Sequence, residues 1–196
     1  LDCIKIIPTL VKYRIFKEIV QGFSPTVIEF PENKVQFNEF SLIKRKLGHW
    51  SIELRGSFFT ATIVSVILGA SIAWMRNGVF NLAYFLLTLF GGVFLHAGTN
   101  VLNDYFDYKS GNDEVNREFV RPFSGGSRMI QLGLMTPTEV LAEALLLYAL
   151  GIMIGLYLTS AVGPFVLILG LVGVLSGFFY TAPPINWASK GLGELL

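Results

Sequence analysis

Polar and apolar positions along this chain do not alternate; they separate into blocks. Residues 56–75 form a run of 20 without a formal charge, including Phe58, Phe59, Ile63, Val64, Val66, Ile67 and Leu68. At about 1.5 Å rise per residue such a run makes a helix of roughly 30 Å, the thickness of a bilayer's hydrocarbon core. Residues 77–103 are a second uncharged run, rich in Phe, Leu and Val, with polar side chains gathering toward its end. A third, 144–189, is too long for one crossing, and the step from Gly163 to Pro164 divides it. Helices are expected over 137–159 and 164–180, joined by a tight turn. The pattern predicts an all-α fold, a polytopic transmembrane bundle with four helices in this chain. A soluble protein with a buried core helix accounts for one such run but poorly for four.

Composition agrees with that reading. The 196 residues are 53% hydrophobic and 15% charged, against roughly 25% charged in soluble domains, and the mean hydropathy is +0.58. These values exclude a disordered chain and a strongly basic nucleic-acid binder. No nucleic-acid partner is expected, and the lipid bilayer is. Cys3 is the one cysteine, so no internal disulfide framework or Cys-rich zinc site is available. If the four spans alternate, 14 of the 15 Lys and Arg residues fall on one side, with Arg76 the exception. The excess of Lys and Arg marks the cytoplasmic side. Both termini and the loop over 104–136 are therefore expected there, in the plasma membrane of a prokaryote. Residues 1–53 read as an N-terminal extension of unassigned role, with a basic amphipathic surface helix possible over about 9–20.

Candidate chemistry sits where the second span meets the cytoplasm. His96, Asn100, Asn103 and Asp107 are spaced 4, 3 and 4, which puts them within about 60° of one another on a helix. Oxygen donors on one face, followed by Asp113 beyond Gly111, suit a hard divalent cation such as Mg²⁺. Carboxylates near membrane depth are costly unless paired or metal-bound, so they mark functional sites. A solvated helix end with Asp104 and Asp107 in water is the competing reading. Downstream, Arg117, Arg121 and Arg128 accompany Ser124, Gly125, Gly126 and Ser127, which read as a flexible polar turn. Guanidinium groups and Gly-rich backbone amides are what phosphate oxygens need. The same arginines also follow from the positive-inside bias, and the glycines from a plain loop. Neither a Walker A loop nor an EF-hand is present.

The string NDYFDYKSGND at 103–113 resembles the first aspartate-rich motif of the UbiA-type intramembrane prenyltransferases. Its glycine and final aspartate are similar to the branch that prenylates 1,4-dihydroxy-2-naphthoate in menaquinone synthesis. PFSGGSR at 122–128 with GLMT at 133–136, and YTAPP at 180–184 with KGLGE at 190–194, resemble two further family loops. Leu54, Arg55 and residues 57–62 resemble the start of its first helix, with Gly56 where the family often has proline. The likeness covers roughly 54–196. The family fold has about nine helices and a second aspartate-rich motif after the sixth. The resemblance therefore casts 54–196 as the N-terminal part of a prenyltransferase domain, whose C-terminal helices would be partners of this part. On its own, the 196-residue chain is expected to transfer nothing.

The resemblance implies Mg²⁺-dependent transfer of a prenyl group from an allylic prenyl diphosphate to an aromatic acceptor, 1,4-dihydroxy-2-naphthoate in this branch. It places Asn103, Asp107 and Asp113 on the metal, with Asp104 completing the catalytic set. Asn100, Arg55, Lys109, Arg117, Arg128 and Tyr180 become substrate-binding candidates, Lys109, Arg117 and Arg128 for the diphosphate. Tyr180 reads equally as an interfacial belt residue, and His96 equally as a satisfied core histidine. Alternatives are a related enzyme with 4-hydroxybenzoate or a glycerol-phosphate lipid as acceptor, or a non-enzymatic membrane cation-binding or transport protein. No internal repeat of the kind common in transporters is visible.

Overall fold

The computed structural model describes residues 39–112 and 125–190. The surface helix considered over 9–20 and the roles given to Asp113, Arg117 and Arg121 lie outside the described residues. In chain order come α1 (Glu39–Glu53), a 3₁₀ turn (Gly56–Phe58), α2 (Phe59–Asn77), α3 (Leu82–Ser110), α4 (Pro137–Val162), α5 (Pro164–Phe179) and a 3₁₀ turn (Ala188–Lys190). The fold is all-α, with no strand among the described residues.

The helix ends follow local chemistry. Arg55 adopts a left-handed conformation (φ 54°, ψ 50°), so the chain cannot run helically from α1 into α2. The first span accordingly starts at Phe59 rather than at 56. Gly78 and Gly111 close α2 and α3 in left-handed C-caps, where a Cβ would be strained. Asn81 opens α3 by accepting from the Tyr84 N–H at 3.0 Å. Thr136, Pro137 and Glu139 open α4 with a full capping box and Pro in the first turn. Glu139 also pairs with Lys46 of α1 at 2.6 Å.

Three segments are long and apolar enough to cross a membrane: Ile43–Asn77, Leu82–Ser110 and Pro137–Val162. The protein is an integral membrane protein. The fourth helix, expected over 164–180, runs over Pro164–Phe179 and so agrees to one residue. It has 16 residues, about 24 Å, because the chain leaves the helix at Tyr180 ahead of Pro183 and Pro184. By contrast α3, with 29 residues, is about 44 Å long and outruns the hydrocarbon core by roughly two to three turns. Its last turns carry residues 103–110.

The helices run up and down, and α3 against α4 is the main seam. Apolar burial is no drive for helix association within lipid, so close contact and hydrogen bonds must serve instead. Glycines provide the approach. A Cβ on Gly91 would lie 3.0 Å from Ile154 Cγ2, and one on Gly98 3.0 Å from the Tyr148 ring. A Cβ on Gly151 would come within 2.7 Å of Leu95 Cδ2 and Cγ. Beside this seam the Thr99 and Tyr148 hydroxyls share a 2.9 Å hydrogen bond. The seam continues into a core of Ala97, Val101, Leu102, Val140, Ala144, Leu147 and Tyr148, joined by Met129, Ile130 and Met135. That core lies at one end of the bundle, where α1, the start of α2, the ends of α3 and α5 and the start of α4 meet.

Candidate active site at the polar end of the bundle

The second half of α3 lays its polar residues along one face in steps of three and four. Deepest is His96, whose Nδ1 pairs with the Thr62 hydroxyl of α2 at 2.7 Å, with the Phe59 ring edge-on at 5.6 Å. One turn on, the Asn100 amide donates to the Leu54 carbonyl at 3.3 Å, tying α3 to the chain just before α2. Next, the Asn103 amide donates to Asp107 Oδ2 at 2.9 Å. Asp107 Oδ1 accepts from the Asn112 side chain at 3.3 Å. Asn103 and Asp107 are both half-buried, whereas Lys109, two residues on, is exposed with its ammonium 5.5 Å from the centre of the Tyr105 ring. The structure thus brings Asn103 and Asp107 together in a half-open setting, with Asn100 a turn deeper.

Asp104 sits elsewhere. It is 3% exposed, lies 100° around the helix from Asn103, and takes part in a buried polar cluster. Its Oδ2 accepts from the Ser127 backbone N–H at 2.6 Å, and Oδ1 is 3.9 Å from Arg55 Nη1. The Ser127 hydroxyl donates to Glu53 of α1 and accepts from the Met129 N–H at 3.2 Å. Glu53 and Glu143 are buried as deeply as Asp104. Arg55 lies against the Phe58 ring at 4.7 Å. This candidate for substrate is therefore already engaged with an acid and an aromatic face.

Residues 125–128, expected as a flexible polar turn, are held instead. Ser127, Met129 and Ile130 are all buried. Gly125, Gly126 and Arg128 have positive φ (79°, 65° and 61°), and Arg128 Nε returns to the Gly125 carbonyl at 3.2 Å. The fixed points are Asp104 and Glu53 on one side of the loop and the apolar core on the other. A non-glycine residue in left-handed conformation costs energy and persists only when its surroundings hold it there. Two arginines are held that way, Arg55 and Arg128, the first with its guanidinium 3.9 Å from Asp104.

Tyr180 follows α5, whose end is joined to the others by aromatic contacts. The Phe178 ring meets Phe106 of α3 at 6.5 Å and Tyr148 of α4 at 6.4 Å, each edge to face. The chain then folds back, with the Ala188 N–H donating to the Tyr180 carbonyl at 2.9 Å. Thr181 is buried beneath it.

Sequence reading missed Glu53, Ser127 and Glu143 as parts of this end. An acid two residues before Arg55 and a serine amid glycines were the available signals, and neither announces a buried contact across 74 residues. The donor set toward a divalent cation is a carboxylate and an amide oxygen on one half-open helix face. This set fits a hard ion such as Mg²⁺, although no group of three His, Cys, Asp or Glu side chains converges among the described residues.

A membrane bundle with a carboxylate–amide pair at the end of an apolar helix, and with arginines held in left-handed conformation on neighbouring segments, is a setting for an anionic headgroup beside a lipid tail. The model of the UbiA prenyltransferase family matches residues 62–195, well over half of the chain, and the chain belongs to that family. It is 32% identical over 154 residues to the 1,4-dihydroxy-2-naphthoate octaprenyltransferase of Bacillus subtilis, covering 78% of this chain and 47% of the relative. The enzyme of the same name from Mycobacterium tuberculosis is 30% identical over 149 residues, 76% of this chain and 48% of the relative. The 2-carboxy-1,4-naphthoquinone phytyltransferase of Arabidopsis thaliana chloroplasts is 28% identical over 162 residues, 82% and 39%. The chain spans about half the length, or less, of these curated relatives. No solved structure matches it.

Proposed function

We propose that the protein transfers a prenyl group from an allylic prenyl diphosphate to an aromatic ring, with 1,4-dihydroxy-2-naphthoate as acceptor. Family membership supports the reaction class, and the naphthoate and naphthoquinone substrates named for the relatives support the acceptor. The observation that carries the reading is the Asn103–Asp107 pair, half-open at the end of an apolar helix with Arg55 and the 125–128 loop on neighbouring elements.

In this reading Asn103 and Asp107 would hold Mg²⁺, with Asp113 as a third ligand. A bound divalent ion supplies charge compensation for the diphosphate as the allylic carbon–oxygen bond breaks. Arg128, Lys109 and Arg117 neutralise the remaining oxygens, and guanidinium groups suit this because they bind such oxygens bidentately. The bond breaks heterolytically: both electrons leave with the diphosphate, the electron-rich ring carbon attacks the allylic cation, and that carbon then releases a proton, or its carboxylate as CO2, to restore the aromatic ring. Apolar side chains of α2 to α4 exclude water that would otherwise capture the cation. Asn100 and Tyr180 line the acceptor and prenyl side. The polar end faces the cytoplasm, as the distribution of Lys and Arg implies.

The test uses membranes carrying the full-length protein, radiolabelled prenyl diphosphate, and a panel of naphthoate, 4-hydroxybenzoate and glycerol-phosphate acceptors. Label is expected in the naphthoate product with Mg²⁺ and not with EDTA. Label entering another acceptor in preference overturns the assignment of acceptor, and metal-independent transfer overturns the assignment of the site.

A further inference from the structure

We propose that Asp104 is a positioning residue and not a ligand of the metal. With Glu53 and Ser127 it forms a latch that clamps the 125–128 loop to α3 and so fixes the backbone that carries Arg128 at the end of α3 where Asn103 and Asp107 lie. The inference deepens the prenyltransferase reading and rests on it for the purpose of the latch, though not for its existence.

Four observations carry it. Asp104 is enclosed: a Cβ on Gly126 would stand 2.5 Å from its Oδ1 and 3.2 Å from its Oδ2, so the loop backbone lies directly on the carboxylate. One oxygen is taken by the Ser127 N–H, and the other faces the Arg55 guanidinium. Ser127 uses its N–H and its hydroxyl in opposite directions, toward Asp104 of α3 and Glu53 of α1. Both acids are almost wholly buried, where a polar group left without its hydrogen bond is costly. Arg128 lies between buried Ser127 and buried Met129, so the loop's fixed points flank it directly. Asp107, one turn beyond Asn103, is by contrast half-open, and its hydrogen bonds go to Asn103 and Asn112. Two aspartates three residues apart therefore have different tasks. One faces the substrate side, and the other ties down the backbone that carries Arg128.

Gly126→Ala separates the two tasks, because it pushes the loop off Asp104 while leaving every acid, amide and arginine in place. Asp104→Asn, which is isosteric, weakens the same clamp from the α3 side. The first readout needs neither metal nor substrate. Purified protein in detergent with EDTA is digested briefly with trypsin, and cleavage after Arg128 is measured relative to cleavage after exposed Arg76 at the opposite end of the bundle. The ratio is expected to rise about tenfold in both variants and to stay at the wild-type value in Asp107→Asn. The second readout is prenyl transfer in membranes. Gly126→Ala and Asp104→Asn are expected to raise the KM for prenyl diphosphate about tenfold with half-saturating Mg²⁺ unchanged, whereas Asp107→Asn raises the Mg²⁺ requirement. An unchanged cleavage ratio in both latch variants overturns the proposal. So does an Mg²⁺ requirement that moves in Asp104→Asn as it does in Asp107→Asn. Absence of transfer by the wild type would remove the prenyltransferase reading alone, and the cleavage ratio would still decide whether the latch exists.

Discussion

Replacing Gly151 by alanine adds one methyl group and should destabilise the bundle, although alanine is the better helix former. An added Cβ at this position stands 2.7 Å from both Cδ2 and Cγ of Leu95, and 3.2 Å from the Gly91 carbonyl oxygen. Carbon atoms prefer about 3.5–4.0 Å, so the overlap with Leu95 is roughly 1 Å. Leu95 can turn away, but the Gly91 carbonyl belongs to the backbone of α3 and moves only if the helices part. Overpacking of this kind costs about 1–3 kcal/mol. Gly155, one turn further along α4, has nothing within 4 Å of an added Cβ. Gly155→Ala should therefore be neutral or stabilising by about 0.5–1 kcal/mol, the helix-propensity gain alone. The pair serves as its own control for helix propensity. Unfolding in mixed micelles with increasing SDS should separate the two variants by about 2 kcal/mol or more, in opposite directions from wild type. Equal stability of Gly151→Ala and Gly155→Ala would refute the claim that close backbone approach sets the α3–α4 seam.

Three further outcomes follow from the geometry. Tyr148→Phe and Thr99→Val should each destabilise by about 0.6–1.7 kcal/mol, the range for hydrogen bonds between membrane helices, and the double variant should lose little more than either single one, as a double-mutant cycle by the same unfolding assay would report. Thr136→Ala should cost about 1 kcal/mol through the lost capping box, while Lys46→Ala, at an exposed pair, should cost about 0.2–1 kcal/mol and less at high salt. In a Cys3→Ser background, cysteine placed at Asn77 should be labelled from outside intact cells faster than cysteine at Ser110, because the proposed orientation has Ser110 facing the cytoplasm. Equal or reversed rates would contradict that orientation.

Much of the scaffold was legible because membrane helices announce themselves by charge-free length. The split at Gly163 and Pro164 and the start of α4 at Thr136, Pro137 and Glu139 follow from backbone chemistry confined to a few residues. The polar stripe of α3 was equally readable, since 3.6 residues per turn fixes which side chains share a face. What could not be read depended on contacts distant in sequence. Nothing local to Ser127 tells that its hydroxyl meets Glu53, so the GGSR stretch looked like an open turn when it is a pinned one. Helix geometry already sets Asp104 off the stripe of Asn103 and Asp107, though the three share a motif. Only packing of the loop against α3 shows that Asp104 is enclosed.

Asp107 carries the central claim, that the half-open end of α3 holds the metal that neutralises a diphosphate. The most direct measurement compares Asp107→Ala with wild type in membranes carrying the full-length protein, following Mg²⁺-dependent transfer of radiolabelled prenyl diphosphate to 1,4-dihydroxy-2-naphthoate at matched protein levels. The account predicts transfer by wild type and a loss of at least about a thousandfold in the variant, the scale expected when a main source of transition-state charge stabilisation is removed. Transfer by Asp107→Ala at the wild-type rate, with the same response to Mg²⁺, would contradict it.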